Sequence, residues 1–205
     1  DNAGRNRKVL EVFCKFGADS SILYEQKPHV GTDRLISIVT AMREEIQRLG
    51  GEVRFSSRAA DFCVEADKLK AVLVERADGT RYELKTEVLI AATGHSARDT
   101  FRVLASRGFS MEAKAFAVGF RVQHRQRDIS LSQYGEREAD FLPPAPYKLA
   151  AKTSVGRGVY SFCMCPGGFV VNASSEVGGT VVNGMSYADR GSENANAAII
   201  VSVTP

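Results

Sequence analysis

Two thiols stand one residue apart in Cys163-Met164-Cys165-Pro166-Gly167-Gly168. On a regular strand, positions i and i+2 share a face, so this spacing offers a redox pair or a reactive thiol. Buried strand cysteines ahead of a glycine turn fit the same letters, because reactivity requires a lowered pKa. No second cysteine pair or nearby histidine completes a metal set, and no metal is expected. Gly167 and Gly168 suit close approach of backbone to a ligand. His29, in Lys27-Pro28-His29-Val30-Gly31-Thr32-Asp33, is a candidate acid/base group just before a long apolar-periodic segment. A plain loop histidine explains it equally, with Thr32 or Asp33 capping the helix that follows. Arg121, His124, Arg125 and Arg127 could receive phosphates or an acidic substrate, although a solvated edge is the commoner fate of such a run. Asn172-Ala173-Ser174-Ser175-Glu176 and Asn183-Gly184-Met185-Ser186 either line a pocket or build turns.

A further candidate is residues 86–95, Thr-Glu-Val-Leu-Ile-Ala-Ala-Thr-Gly-His. Val88-Leu89-Ile90 reads as a short buried strand. It runs into Ala91, Ala92, Thr93 and Gly94, then into polar His95. A buried strand ending in small residues lets a ligand approach at its carboxyl end. No GxGxxG turn occurs in the sequence.

Positioning these residues requires the following elements. An apolar set at Val9, Leu10, Val12, Phe13 and Phe16 predicts a short helix stopped by Gly17, with a further turn at Ser20–Tyr24. Residues 33–49 carry apolar side chains at helical spacing, ended by Gly50-Gly51. The period then changes to strands at 52–55, 58–65 and 69–76, and Asp78-Gly79 predicts a hairpin turn into Tyr82-Glu83-Leu84. Residues 96–108 read as a helix capped by Ser96. From Met111 onward strands are expected at 115–122, 147–153, 158–165, 169–173, 180–185 and 198–203, with one helical turn within 125–131. A domain boundary is placed near residue 110, giving a mixed helix–strand domain over 1–110 and a β-rich domain over 111–205.

The chain has 205 residues, long enough to bury roughly 70% of the surface its unfolded form exposes. Its net charge of +3 is too small to argue for nucleic acid. No apolar run reaches membrane-spanning length. Four scattered cysteines make no disulfide framework, and a cytoplasmic setting is expected.

Several stretches taken together carry a family resemblance. They are residues 27–35 (Lys-Pro-His-Val-Gly-Thr-Asp-Arg-Leu), 92–99 (Ala-Thr-Gly-His-Ser-Ala-Arg-Asp) and 114–119 (Lys-Ala-Phe-Ala-Val-Gly), with Tyr160–Gly168 and Val182–Ser186. The chain resembles bacterial FAD-dependent dehydrogenases of the glutathione-reductase-like class, called NAD(FAD)-utilizing dehydrogenases. The resemblance implies an α+β or α/β protein. Part of an FAD-binding domain, lacking its glycine-rich βαβ turn, would carry an inserted, mainly antiparallel β substrate domain. It places Ala92, Thr93 and Gly94 beside the flavin and the backbone around Ala59 near the adenine. His95 and the Cys163–Gly168 turn fall at the rim, with Asn183 a further rim candidate, and no catalytic residue is transferred. It implies FAD in a longer parent protein, with NAD(P)H as a possible second nucleotide and a small-molecule substrate. The expected partner is the remainder of that flavoprotein, with no nucleic acid and no membrane. On this reading the 205-residue piece has no dehydrogenase activity alone. The alternative is a non-catalytic ligand- or protein-binding module with a vestigial flavin-type strand.

Overall fold

A computed structural model describes residues 4–205; residues 1–3, at the head of the expected 1–110 domain, lie outside the described residues. The protein is mixed α/β, with four helices and three antiparallel sheets among the described residues. It divides into two compact units, one running through Gly51 and resuming at Lys114–Pro205, the other Glu52–Ala113. The helical residues before Gly51 thus join the β-rich part instead of forming one body with 52–110.

In the first unit, helix α1 (Asn6–Lys15), a 3-10 helix (Ser20–Leu23) and helix α2 (Thr32–Arg48) meet at one core. Ala18, Ile22 and Ile38 are buried there, flanked by Leu10, Phe13 and Met42. Only part of the α2 apolar stripe is covered, and Ile36 and Leu49 are exposed. The expected Thr32 or Asp33 cap is not made. Gly31 is the N-cap, without a side-chain cap bond. Both side chains are engaged elsewhere: Thr32 Oγ1 donates to the Ser186 carbonyl at 3.3 Å, and Asp33 Oδ1 accepts from the Ala188 amide at 2.9 Å.

The β-rich part is built on strand β9 (Asn194–Val203), whose β-branched second half suits a pleated, partly buried surface. It lies between β4 (Phe116–Arg125) and β6 (Gly158–Cys165), with the short β5 (Ala150–Lys152) outside β6. β5 keeps only the end of the run expected over 147–153. β4 pairs with β9 without interruption from Phe116↔Val203 to Arg125↔Asn194. Its alternate residues Phe116, Val118 and Phe120 stand exposed on one face, Phe120 at 84%. Strands β7 (Gly168–Asn172) and β8 (Val182–Ser186) form a separate ribbon. Helix α4 (Gln126–Tyr134) follows β4, longer than the single turn expected there. At Asn172 the turn reading holds, because Oδ1 accepts from the Ser174 amide at 2.8 Å.

In the second unit, β1 (Ser57–Glu65), β2 (Lys68–Arg76) and β3 (Arg81–Lys85) form one antiparallel sheet. Asp78-Gly79 makes the expected turn, with Asp78 Oδ1 accepting from both the amide and the hydroxyl of Thr80. Phe62, Val72 and Val74 make the core, with Val103 and Leu104 of helix α3 (Arg98–Ser106) packed against it. Ala97, not Ser96, is the α3 N-cap. The strand expected at 52–55 is irregular chain.

The expected buried strand at Val88-Leu89-Ile90 is also absent. These residues are irregular, with Val88 78% and Ile90 86% exposed. No described strand pairs with them, and the Val88 amide and carbonyl bond only locally, to the Thr86 hydroxyl at 3.3 and 2.8 Å, so the apolar triplet has no ladder to cover a face.

Arg107, just beyond α3, joins that helix to β1. Its Nε donates to Asp61 Oδ1 at 2.8 Å, and its Nη2 donates to Asp61 Oδ2. The guanidinium and the Phe62 amide hold the Asp61 carboxyl down at about 2, from an ordinary value of 3.8. A depressed carboxylate pKa stabilises the fold above its unfolded value, and that stabilisation is lost as pH falls through the folded one. Acid titration of the second unit, followed by amide hydrogen exchange in β1, is therefore expected to show a loss of protection between about pH 4 and pH 2 that Asp61→Asn removes.

Candidate functional site

The first unit brings His29, Cys163, Cys165, Gly167, Gly168 and Asn183 into one neighbourhood. The loop before α2 is tied to the 186–190 segment by the Thr32 and Asp33 bonds and by His29, whose Nε2 lies 3.0 Å from the Tyr187 carbonyl oxygen. A carbonyl only accepts, so Nε2 carries the proton in this bond and Nδ1 is the nitrogen left for other chemistry. Gly167 fixes the opposite side. Its φ is +51°, and a Cβ there would sit 1.5 Å from the Arg190 carbonyl oxygen, so only glycine fits. Its amide donates to buried Gln126 Oε1 at 2.8 Å. Gly168 opens β7 with Ser186 opposite, and the Ser186 hydroxyl donates to the Pro166 carbonyl at 3.0 Å.

The cysteines do not share a strand face. The β6–β9 register slips between Phe162 and Cys165, and Cys163 takes φ +47°. A bulge re-aims side chains, which breaks the i, i+2 rule. Cys163 is exposed and Cys165 half-buried, and both are free thiols. Burial pushes the Cys165 thiol up, and nearby Arg121 offsets this only in part. That opposes the activation a nucleophilic cysteine needs.

Arg121 on β4 organises the polar interior. Its Nη1 donates to Asn196 Oδ1 at 2.6 Å and to the Cys163 carbonyl at 3.2 Å, and Nη2 reaches Asn183 Oδ1 at 3.5 Å. Asn196 is completely buried, and its Nδ2 has no hydrogen-bond partner. A Cβ on Gly184 would fall 2.1 Å from Asn196 Oδ1 and 2.2 Å from Arg121 Nη1, so the ribbon's glycine makes room for this pair. The basic run does not act as one patch, because Arg127 turns to Asp140 at 2.7 Å instead. The His124 and Tyr147 rings meet at a tilt of 42° with centroids 5.5 Å apart, and burial raises the Tyr147 phenol.

Clefts open on several sides of His29, and two of them reach the cysteines. One, about 440 Å³, is lined by His29, Cys163 and Met164 together with Tyr147, Lys148 and Arg190; the other, about 340 Å³, by His29, Cys165, Gly184 and Met185 among others. Both fall within the size range of small-molecule sites. Lys148, Arg190, Gln126 and Asn196 were not singled out in the sequence. They reach the site from separate segments, with no linear motif to mark them.

The remaining candidates lie in the second unit. Ala59 is half-buried on β1, opposite Val74. Ala92, Thr93, Gly94 and His95 lie on exposed, irregular chain, and nothing stands within 4 Å of a Cβ built on Gly94. These residues are open to a nucleotide, but they form no cradle for FAD, and no glycine-rich helix N-terminus accompanies them. Among the described residues no helix is long and apolar enough to cross a membrane.

Residues 115–205 match the model of a family described as "FAD-dependent protein, C-terminal domain-like". The match supports a FAD-dependent family at that level. An uncharacterized protein of Clostridium beijerinckii is 47% identical over 199 residues, which is 96% of this chain and 36% of that protein. A tetracenomycin B2 monooxygenase-dioxygenase of Streptomyces olivaceus is 35% identical over 94 residues, 44% of this chain and 16% of that protein. The chain thus spans about a third or less of the length of these curated relatives.

The two thiols are expected to differ in reactivity. In a Cys14→Ser/Cys63→Ser background, the form retaining Cys163 should react with a maleimide about tenfold faster than the form retaining Cys165. Equal rates would contradict the burial of Cys165.

Proposed function

We propose that this chain is part of a longer FAD-dependent oxidoreductase and supplies its substrate domain together with one wall of the cofactor site. The observation that carries the reading is the match of residues 115–205 to a FAD-dependent C-terminal domain-like family. The similarity to a protein named as a monooxygenase-dioxygenase agrees with oxidoreductase chemistry. The reaction class is that of a dehydrogenase or reductase acting with NAD(P)H on a small-molecule substrate. Ala92, Thr93, Gly94 and the backbone at Ala59 would border the cofactor once the rest of the site surrounds them. The cleft beside His29 and Cys163 would receive the substrate, where the His29 ring is fixed by Tyr187. The exposed apolar residues at Val88, Ile90, Phe116 and Phe120 are consistent with further protein covering this chain.

A second reading is a ligand- or protein-binding module without catalysis. It is favoured by the open surroundings of Gly94, which make no cradle.

An absorption spectrum separates the two. Full-length protein containing this sequence should be yellow, with flavin absorption bands, as purified or after reconstitution with FAD. Colourless protein after reconstitution would sink the oxidoreductase reading. The Cys163→Ser/Cys165→Ser double variant should keep its flavin. Flavin loss on that change would make the two thiols structural supports of the cofactor site, not parts of its rim.

A further inference from the structure

The 440 Å³ cleft has an unbalanced lining. Lys27, Lys148 and Arg190 contribute three cationic side chains, and His29 and Tyr147 add two more polar groups. No aspartate or glutamate among the described residues lines it. None of the three cations is held in an ion pair among the described residues. Glu25 and Asp189 line a neighbouring cleft that shares Lys27, His29 and Arg190, so acidic groups flank the cation cluster without entering it. Behind the wall, Arg121 donates to the Cys163 carbonyl, adding a fourth positive charge close to the cleft.

Like charges gathered around one hollow repel each other, and a concave wall of low dielectric focuses their field onto an anion. The apolar part of the lining is Pro28, Pro146, Pro166, Phe162 and Met164. Polar groups that fix orientation beside apolar surface that takes up the body of a ligand are the usual parts of a small-molecule site. The three cations come from the loop before α2, the segment before β5 and the turn before β9. Arg190 is held in place by its own amide, which donates to the Tyr187 carbonyl at 3.1 Å, the carbonyl that also fixes His29.

We propose that this cleft binds a small molecule carrying an oxyanion, carboxylate or phosphate, on a flat apolar body. The oxyanion sits among Lys27, Lys148 and Arg190. The body lies against Phe162, Met164 and the prolines. This gives the substrate class of the oxidoreductase reading, on which its catalytic meaning rests, but binding itself needs no flavin.

Calorimetric titration with 2-naphthoate, 2-naphthyl phosphate and the neutral 2-naphthamide tests it on the full-length protein. At least one of the two anions should bind, at least about tenfold tighter than the amide. The better of the two identifies the head group. The exposed pair Lys27→Gln/Lys148→Gln should weaken the anion on the order of tenfold, and raised salt should weaken it further. Lys152→Gln, on β5 and outside the cleft, should leave affinity unchanged. The proposal is overturned if neither anion binds, if the amide binds as well as the anions, or if the double variant binds like the parent. Each of these can occur in a protein that still shows a flavin spectrum, so loss of the proposal and loss of the oxidoreductase reading are told apart.

Discussion

The β-rich unit depends on strand β9 being paired on both edges. β4 lies along its whole length and β6 along most of it, so β9 has no free edge over that stretch. A strand sheathed on both sides must satisfy its side chains as fully as its backbone. Its first turn of sequence does so with small residues: Ala195 and Ala197 are completely buried, and Asn196 between them is buried too. An alanine pair brings neighbouring elements close, and the asparagine then needs a charged donor from β4. Arg121 supplies it at 2.6 Å. This half-buried guanidinium is met by three carbonyl oxygens instead of a carboxylate among the described residues. Its charge stays uncancelled, and so reaches the cleft beyond the Cys163 carbonyl. The packing of one strand thereby adds to the positive field that Lys27, Lys148 and Arg190 set at the cleft.

Anchoring of the 27–33 loop follows from the same arrangement. Asp33 and Thr32, whose residue types predict helix capping, bind the 186–188 backbone across more than 150 residues of sequence. Local capping contributes about 1 kcal/mol, and a tertiary bond to an otherwise unmet backbone group competes with it on equal terms. Here the tertiary partner wins, and Gly31 takes the cap position instead. His29 is thereby oriented by the partner segment, not by its own helix.

Much of the secondary structure was legible because it rests on local rules. The 3.6 period fixed α2, the Asp78-Gly79 pair fixed the β2–β3 turn, and strands β6 to β8 fell within a few residues of their pattern. What failed was non-local. Val88-Leu89-Ile90 has the letters of a buried strand, but burial is a property of neighbours, and no described strand stands beside it. Cys163 and Cys165 have the spacing of a shared face, and the bulge that separates them is written in the register with β9, which no two-residue interval encodes.

The site shows the same division more sharply. Residues that form a short motif, such as Cys163 to Gly168, could be picked out from their order. The cleft's charge could not, because Lys148 and Arg190 stand in no motif, and Lys27, although two residues before His29, carries no sign of the cations it will meet. Taken singly, each reads as a solvated cation and contributes little. Their meaning comes from convergence. The Thr32 and Asp33 bonds hold the first segment, the β5–β6 pairing carries the second, and the Tyr187 carbonyl holds the third. A net charge of +3 spread over 205 residues predicts no field. Three cations that make no ion pair among the described residues, around one hollow of 440 Å³, produce one, and the fold, more than the composition, decides what kind of molecule the surface attracts.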